Sequence, residues 1–346
     1  MTGGDAGDDE YRQDLDALVG RIGSLHPPDL PARFASCFRL GPESYRRVEP
    51  VQAGILAAVD GSNAMLFDAG CIAAVLLRAA ACGFSAGART FRAVTPLRLV
   101  TLGQEARDAS FSGLYRECFG TDPDTGIRDD EPERTAGILR DTLEYWVALR
   151  AAERLGQGDL LVLDGALRVT HASHEPVLLR LIRTCAKRGI HLCAVTKRTS
   201  VTWGGGLPLV PAALALAKAH GITPPWVLRI GEEGLDVTPY RQWRHGVPCV
   251  AALHPRSHLA FRIEVPGPTG DDELGEMVSR LAGWSDDGRV TGYPYPLLDA
   301  HRTARIPADA VGQAKNDLIS GMARSGLDAR SARDLLGDLH DEFARY

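Results

Sequence analysis

The sequence predicts an α/β protein: a mixed β-sheet flanked by helices, with additional helices near both ends. Three observations carry that expectation. Short apolar runs of strand length crowd the first third of the chain, beginning with GILAAVD at 54–60. From residue 132 onward, helical and strand patterns alternate, as in βα units. The run DLLVLD at 159–164 is apolar at every position between its aspartates, the signature of a strand buried in a sheet. Strands first and βα alternation second describe a mixed sheet rather than a uniformly doubly wound one.

The elements follow in order. Residues 1–9 are acidic and polar and predict no structure. Residues 10–24 place Tyr11, Leu15, Leu18, Val19 and Ile22 at helical spacing, and Pro27 and Pro28 end that helix. A loop is expected up to about Gln52, followed by the strand 54–60, stopped by Gly61 and Ser62. Strands of a meander are expected at 65–67 and 71–81, the second being Ala-rich enough to be helical instead, and another at 97–101. Helical spacing returns over 132–155, then a strand at 159–164, a helix at 175–188 and a strand at 190–196. A glycine-rich loop, WGGGLP, leads into a helix at 211–220. Strands near 226–230, 249–253 and 259–265 precede helices at 271–282, 308–322 and 331–343. No internal repeat is visible.

Composition narrows the function classes. The longest apolar stretch, 71–84, is interrupted by Arg78 and is too short to span a bilayer, so no membrane partner is expected. The opening MTGGDAGDDE lacks the basic flank and apolar centre of a secretory leader, which predicts a cytoplasmic protein. The seven cysteines form no CxxC pair and read as reduced, buried packing residues, which argues against thiolate-bound zinc. A net charge of −5 speaks weakly against nucleic-acid binding, although a nuclease must itself gather carboxylates around its metal.

Two residues stand out chemically. Asp60 and Asp164 each follow an apolar run and precede a glycine, which places both at carboxyl ends of strands, where ligand sites of α/β sheets gather. Asp-Gly is also a common turn pair, and a single instance would carry little. Two instances closing strands of one sheet supply the oxygen ligands that Mg²⁺ or Mn²⁺ prefers. A third carboxylate is then needed. Glu144 lies on the helix preceding the second of these strands, with Glu105, Asp108 and Glu153 as competitors that spacing does not exclude. Lys197 closes the strand HLCAVTK, and Tyr293 and His301 lie in a Pro-rich turn leading to a helix, where tyrosine could steady a phosphate and histidine act as acid or base. Each of these three also has an ordinary structural reading. The pairs His171/His174 and His254/His258 fall in loop-like stretches and read as surface histidines. WGGG lacks the Gly-Lys-Ser/Thr of a P-loop, and no GxSxG elbow is present.

These residues, taken together, resemble a known family. VDGSN at 59–63, LE at 143–144, LVLDGAL at 161–167, AVTKRTS at 194–200 and YPYPLLDAH at 293–301 look like the successive motifs of the NurA nucleases, over about residues 50–310. The resemblance implies an RNase H-like core at 51–310, with an N-terminal helical and loop extension at 1–50 and C-terminal helices at 311–346. It also implies a manganese-dependent single-strand endonuclease and 5′-to-3′ exonuclease acting on single-stranded and duplex DNA ends in double-strand break resection. A homodimer docked on a HerA-type hexameric ATPase would be the working assembly. Asp60, Glu144 and Asp164 would bind two metal ions (Mn²⁺, with Mg²⁺ as the other candidate), Asp60 bridging them, while Lys197, Tyr293 and His301 complete the site. Two other classes stay open: a catalytically silent single-stranded DNA-binding module, and an actin-like phosphotransferase, in whose fold Asp-Gly strand ends also occur.

Overall fold

The computed structural model describes residues 6–103, 106–127, 131–236 and 243–327. Helix α1 (Ala6–Ser24) begins inside the stretch expected to lack structure, and its apolar stripe Tyr11, Leu15, Leu18, Val19 and Ile22 is exposed. The expected loop before Gln52 instead contains helix α2 (Leu30–Phe38) and the short edge strand β1 (Tyr45–Arg47). Proline sits in the first turn of α2, where its missing N–H costs no hydrogen bond, so the proline cluster that ends α1 is compatible with a new helix. Leu30 and Phe34, four residues apart, bury one face of α2, and Phe34 meets Trp203 at a ring separation of 5.1 Å.

Strands β2 (Leu56–Asp68), β3 (Ile72–Ser85), β4 (Ala88–Val94) and β5 (Arg98–Gly103) follow, with β3 pairing antiparallel to the other three. Helices α3 (Ala106–Phe119) and α4 (Pro132–Arg154) lead to β6 (Leu160–Asp164), which lies parallel to β2. After α5 (Glu175–Arg188), β7 (His191–Thr196) lies parallel to β6. Three antiparallel strands followed by two parallel ones, in the spatial order β4-β3-β2-β6-β7, make an RNase H-like core.

The WGGGLP segment is a hairpin of β8 (Thr202–Trp203) and β9 (Leu207–Pro208) rather than an open loop, and it leads into α6 (Leu209–Ala219). Strands β10 (Trp226–Arg229), β11 (Gly246–Ala252) and β12 (Phe261–Pro266) continue the sheet antiparallel from β7 out to β1. Helices α7 (Asp271–Gly283), α8 (Tyr295–Ala304) and α9 (Ala308–Arg324) close the described chain. The helix expected at 331–343 lies outside the described residues. None of the described helices is long and apolar enough to cross a membrane.

Side-chain parity along the central strands decides which helix each residue meets. Ala57 and Val59 of β2 and Leu161 and Leu163 of β6 share a core with Leu139 and Leu143 of α4. Leu56 and Ala58, with Leu160 and Val162, pack instead with Leu297 and Ala300 of α8. A sheet covered on both faces loses the alternation of a half-exposed strand, which explains the unbroken apolar runs. The Ala-rich 71–81 region, left open between strand and helix, is strand because β3 is hydrogen-bonded along both edges. Of the cysteines, Cys82, Cys185, Cys193 and Cys249 are buried as expected, and burial pushes the Cys82 thiol up to about 11. Cys37 and Cys71 are exposed, contrary to expectation, because they lie at the end of α2 and in the β2–β3 turn.

Candidate metal centre

Asp60 is not at the carboxyl end of its strand. β2 runs on to Asp68, because β3 continues to pair with it through Asp60↔Ala80 and Gly61↔Ala79. A glycine does not end a strand whose antiparallel partner supplies the next hydrogen bonds. What does end near Asp60 is the parallel pairing with β6, at Val59↔Leu163. Asp60 and Asp164 are therefore adjacent just past the last rung of that pairing, Asp60 in mid-strand and Asp164 at the true end of β6. Gly165, at φ +133°, adopts a backbone conformation that favours glycine and turns the chain away after Asp164.

Both aspartates share parity with the residues facing α8, and α8 delivers His301 to them. His301 Nδ1 lies 2.8 Å from Asp60 Oδ2, while the Gly61 amide donates to Asp60 Oδ1 at 2.8 Å. One donor atom from each of Asp60, Asp164 and His301 lies within 4.8 Å of the others. His301 sits within α8 rather than in the turn before it. Lys197, the residue after β7, reaches Asp164 Oδ2 at 2.5 Å and lies 5.5 Å from the centre of the Tyr293 ring. Tyr293 is buried, and its hydroxyl has no hydrogen-bond partner among the described residues. Burial, then the charges of Asp164 and Asp60, push that phenol well above its usual range.

The electrostatics are those of crowded, buried carboxylates. Burial, reinforced by the Asp60 charge, raises Asp164 to about 6 even with Lys197 beside it. Two crowded carboxylates, a histidine nitrogen and an orphaned buried hydroxyl at one point suit a divalent cation, whose charge would relieve the repulsion.

Glu144 approaches from the other face. Gly61 has the opposite parity to Asp60, and a Cβ there would lie 2.5 Å from Glu144 Cγ and Oε1, so the missing side chain is what admits the glutamate. Glu144 lies outside the close donor set and pairs with Arg140 Nε at 3.0 Å. Its carboxyl is pushed well up, first by burial, then by Asp141, with Arg140 opposing and Asp60 and Asp164 adding. The competitors are engaged elsewhere: Asp108 accepts from the Ile127 amide at 2.9 Å and Glu153 pairs with Arg150 on the surface. Glu105 lies outside the described residues.

Sequence reasoning missed the support beneath this site. Glu264 is fully buried; its Oε2 accepts from the Leu167 amide at 2.7 Å, and its Oε1 stands 3.5 Å from Arg262 Nε and 3.7 Å from Arg244 Nη2. Arg262 donates to Thr196 Oγ1 at 3.1 Å, and that hydroxyl in turn donates to the Gly165 carbonyl. The turn after Asp164 is thus held from below by β7 and β12. The charged pair Arg262/Glu264, alternating inside an otherwise apolar strand, is the sequence signal that could have revealed it.

Other expectations are corrected. His174 is buried rather than on the surface, 2.8 Å from Thr142 Oγ1, and desolvation lowers it to about 4. His254 is also buried, against Asp286 at 3.0 Å. The glycines of WGGG already hold an anion: Gly205 and Gly206 donate to the Asp236 carboxylate at 3.0 and 2.9 Å. A larger cavity of about 480 Å³ beside Arg46, His191 and Arg280 contains none of the candidate residues. It lies by the amino end of β7, whereas ligands of α/β sheets collect at carboxyl ends.

The NurA domain model matches residues 242–306, the segment from β11 through α8 that carries Tyr293 and His301. No curated protein sequence matches the chain. Among solved structures, the NurA nuclease from Sulfolobus solfataricus is 12% identical, with a TM-score of 0.55 covering 93% of this chain and 98% of that one. A second NurA structure is 10% identical (TM-score 0.56; 94% and 99% covered), and a NurA structure with manganese is 8% identical (TM-score 0.53; 90% and 98% covered). The resemblance to the NurA family therefore holds in two respects, in the sequence of residues 242–306 and in the fold of nearly the whole chain.

Proposed function

We propose that this protein is a metal-dependent deoxyribonuclease centred on Asp60, Asp164 and His301. The observation that carries the reading is the convergence of these three side chains, distant in sequence, beside an orphaned buried hydroxyl. The likeness to NurA nucleases supports the reaction class. When bound, a divalent cation would polarise a phosphate and make its own water more acidic. Asp60 and Asp164 offer hard oxygen donors and His301 a nitrogen, a mixture better suited to Mn²⁺ than to Mg²⁺. Asp60, between His301 and Asp164, would hold the cation together with them, and Glu144 is the further carboxylate across Gly61. Lys197 offsets negative charge beside Asp164, and the buried Tyr293 hydroxyl, without a partner among the described residues, would become a donor to a ligand that displaces its cover. On family likeness we extend the reading to single-strand endonuclease and 5′-to-3′ exonuclease activity, to a homodimer, and to work with a HerA-type ATPase in break-end resection.

The test is cleavage of end-labelled linear and of circular single-stranded DNA, and of duplex DNA, with Mn²⁺, Mg²⁺ or EDTA. Asp60→Ala and Asp164→Ala are expected to abolish cleavage in Mn²⁺ while remaining folded. Full activity in either purified variant would remove the assignment.

A further inference from the structure

The chemistry so far lies on the α8 side of the sheet, but the α4 side carries a feature it does not use. Two cavities of about 160 and 230 Å³ share Arg140, Asp141, Arg168 and Thr170 and so form one trench. Its inner end is walled by Asp164 and Glu144 of the candidate centre, and its outer end runs over Ile138 and Val169. The charge along it is uneven. Arg140 is committed, to Asp141 at 2.7 Å and to Glu144 at 3.0 Å, and Thr170 donates to the same Asp141 at 2.7 Å. Arg168 is exposed, and among the described residues its guanidinium has no hydrogen-bond or ion-pair partner. Its backbone is nevertheless fixed: the carbonyl accepts from the buried Tyr145 hydroxyl at 3.0 Å, and the residue bridges Arg244 as an isolated antiparallel rung. A free guanidinium on an anchored backbone, over an apolar floor and next to a carboxylate centre, is suited to a phosphodiester whose sugar and base lie on the floor.

We propose that this trench is a strand path for single-stranded nucleic acid, with Arg168 a positioning residue that contacts the phosphate next to the one at Asp164. The assignment of that neighbouring phosphate rests on the nuclease reading; strand binding in the trench does not. Because Arg140, Asp141, Glu144 and Thr170 are already paired with one another, the path takes a strand by its backbone and stacking rather than by its sequence.

The experiment is fluorescence anisotropy of a labelled oligo-dT with the full chain in EDTA, across a series of salt concentrations, so that binding is read without cleavage. Arg168→Ala is expected to weaken binding roughly tenfold at low salt and to lower the slope of log affinity against log salt by about 0.7, one single-strand phosphate contact. Arg168→Lys should restore most of the slope, and Arg46→Ala, on the far edge strand β1, should change neither quantity. In cleavage assays with Mn²⁺, Arg168→Ala should raise KM more than it lowers kcat. Unchanged affinity and slope in Arg168→Ala, or no oligo-dT binding by the wild type in EDTA, overturns the proposal. A wild type that binds through Arg168 but cleaves nothing with any metal would keep the strand path and remove the nuclease reading instead.

Discussion

If Asp164 is held as an anion against burial and the Asp60 charge, neutralising it should stabilise the metal-free protein. Raising a carboxyl from 3.8 to about 6 means that the folded state binds the proton more tightly than the unfolded state does. Folded pKa above unfolded pKa gives a contribution present at low pH and lost as pH rises through about 6. The shift corresponds to about 3 kcal/mol at pH 7.5 as an upper figure, at about 1.4 kcal/mol per unit. The Asp164 side chain is only 12% exposed, so solvent screening takes little from that figure. The attraction of Lys197 is already contained in that shift, but the amide of Asp164→Asn turns an N–H group toward surroundings that face a carboxylate, and the imperfect hydrogen bonding costs about 1 kcal/mol. The expected net gain is about 2 kcal/mol. For 346 residues the unfolding entropy is about 0.7 kcal/mol per kelvin, so the melting temperature should rise by about 3 °C. The assay is thermal denaturation of wild type and Asp164→Asn in EDTA at pH 7.5 and pH 5.0. The comparison between the two proteins is essential, because His174 works in the opposite direction. Burial lowers His174 to about 4, so its contribution is present above its unfolded value of 6.5 and is lost as pH falls. That effect is common to both proteins and cancels in their difference, which should shrink between pH 7.5 and pH 5.0. With Mn²⁺ at a hundred times its dissociation constant the order should reverse, since binding adds about 2.7 kcal/mol to the wild type alone. An Asp164→Asn protein less stable than wild type in EDTA at pH 7.5 would refute the reasoning.

Two further perturbations test the surroundings of the site. Glu264→Ala leaves Arg262 and Arg244 buried without their carboxylate, at a cost of about 3–5 kcal/mol, or roughly 4–7 °C in melting temperature. A melting temperature within a degree of wild type would show that the network does not hold the turn after Asp164. Gly61→Ala puts a methyl group 2.5 Å from Glu144 Cγ and must displace that side chain, costing about 1–3 kcal/mol of stability. Its cleavage rate should fall well below wild type if Glu144 takes part, and wild-type activity would leave Glu144 a structural neighbour.

Much of this was readable in the sequence, and the failures have physical causes. The strand-end position of Asp164 was legible, because β6 is covered on both faces and truly stops there, so an apolar run broken by Asp-Gly marks the place. Asp60 was legible as a residue but not in its setting, since whether a strand continues past glycine depends on a partner strand elsewhere in the chain. α2 and β1 were hidden by prolines and by their shortness. α3 escaped because its weak stripe (Phe111, Leu114, Tyr115) leaves few cues beyond a spacing of three and four. The Glu264–Arg262–Arg244 support joins β12 to the turn before Arg168, a pairing between residues about a hundred positions apart that no local pattern encodes.

Parity explains why the expected acidic triad is split by the sheet. Once Asp60 shares a face with Leu56 and Ala58, its neighbour Gly61 must face α4, and so must anything that α4 sends toward it. Glu144 thus reaches the centre across a glycine from one side, while His301 reaches it directly from the other. The same arrangement weighs on the two other functional classes. A phosphotransferase needs an open glycine-rich cradle, and the one glycine run that could have served is closed by Asp236. A strand-binding module without catalysis would gain nothing from two aspartates that repel each other and a phosphate set between them. That repulsion becomes useful only when a cation neutralises it, which is why the stability of Asp164→Asn without metal and the cleavage assay with metal address one question from two sides.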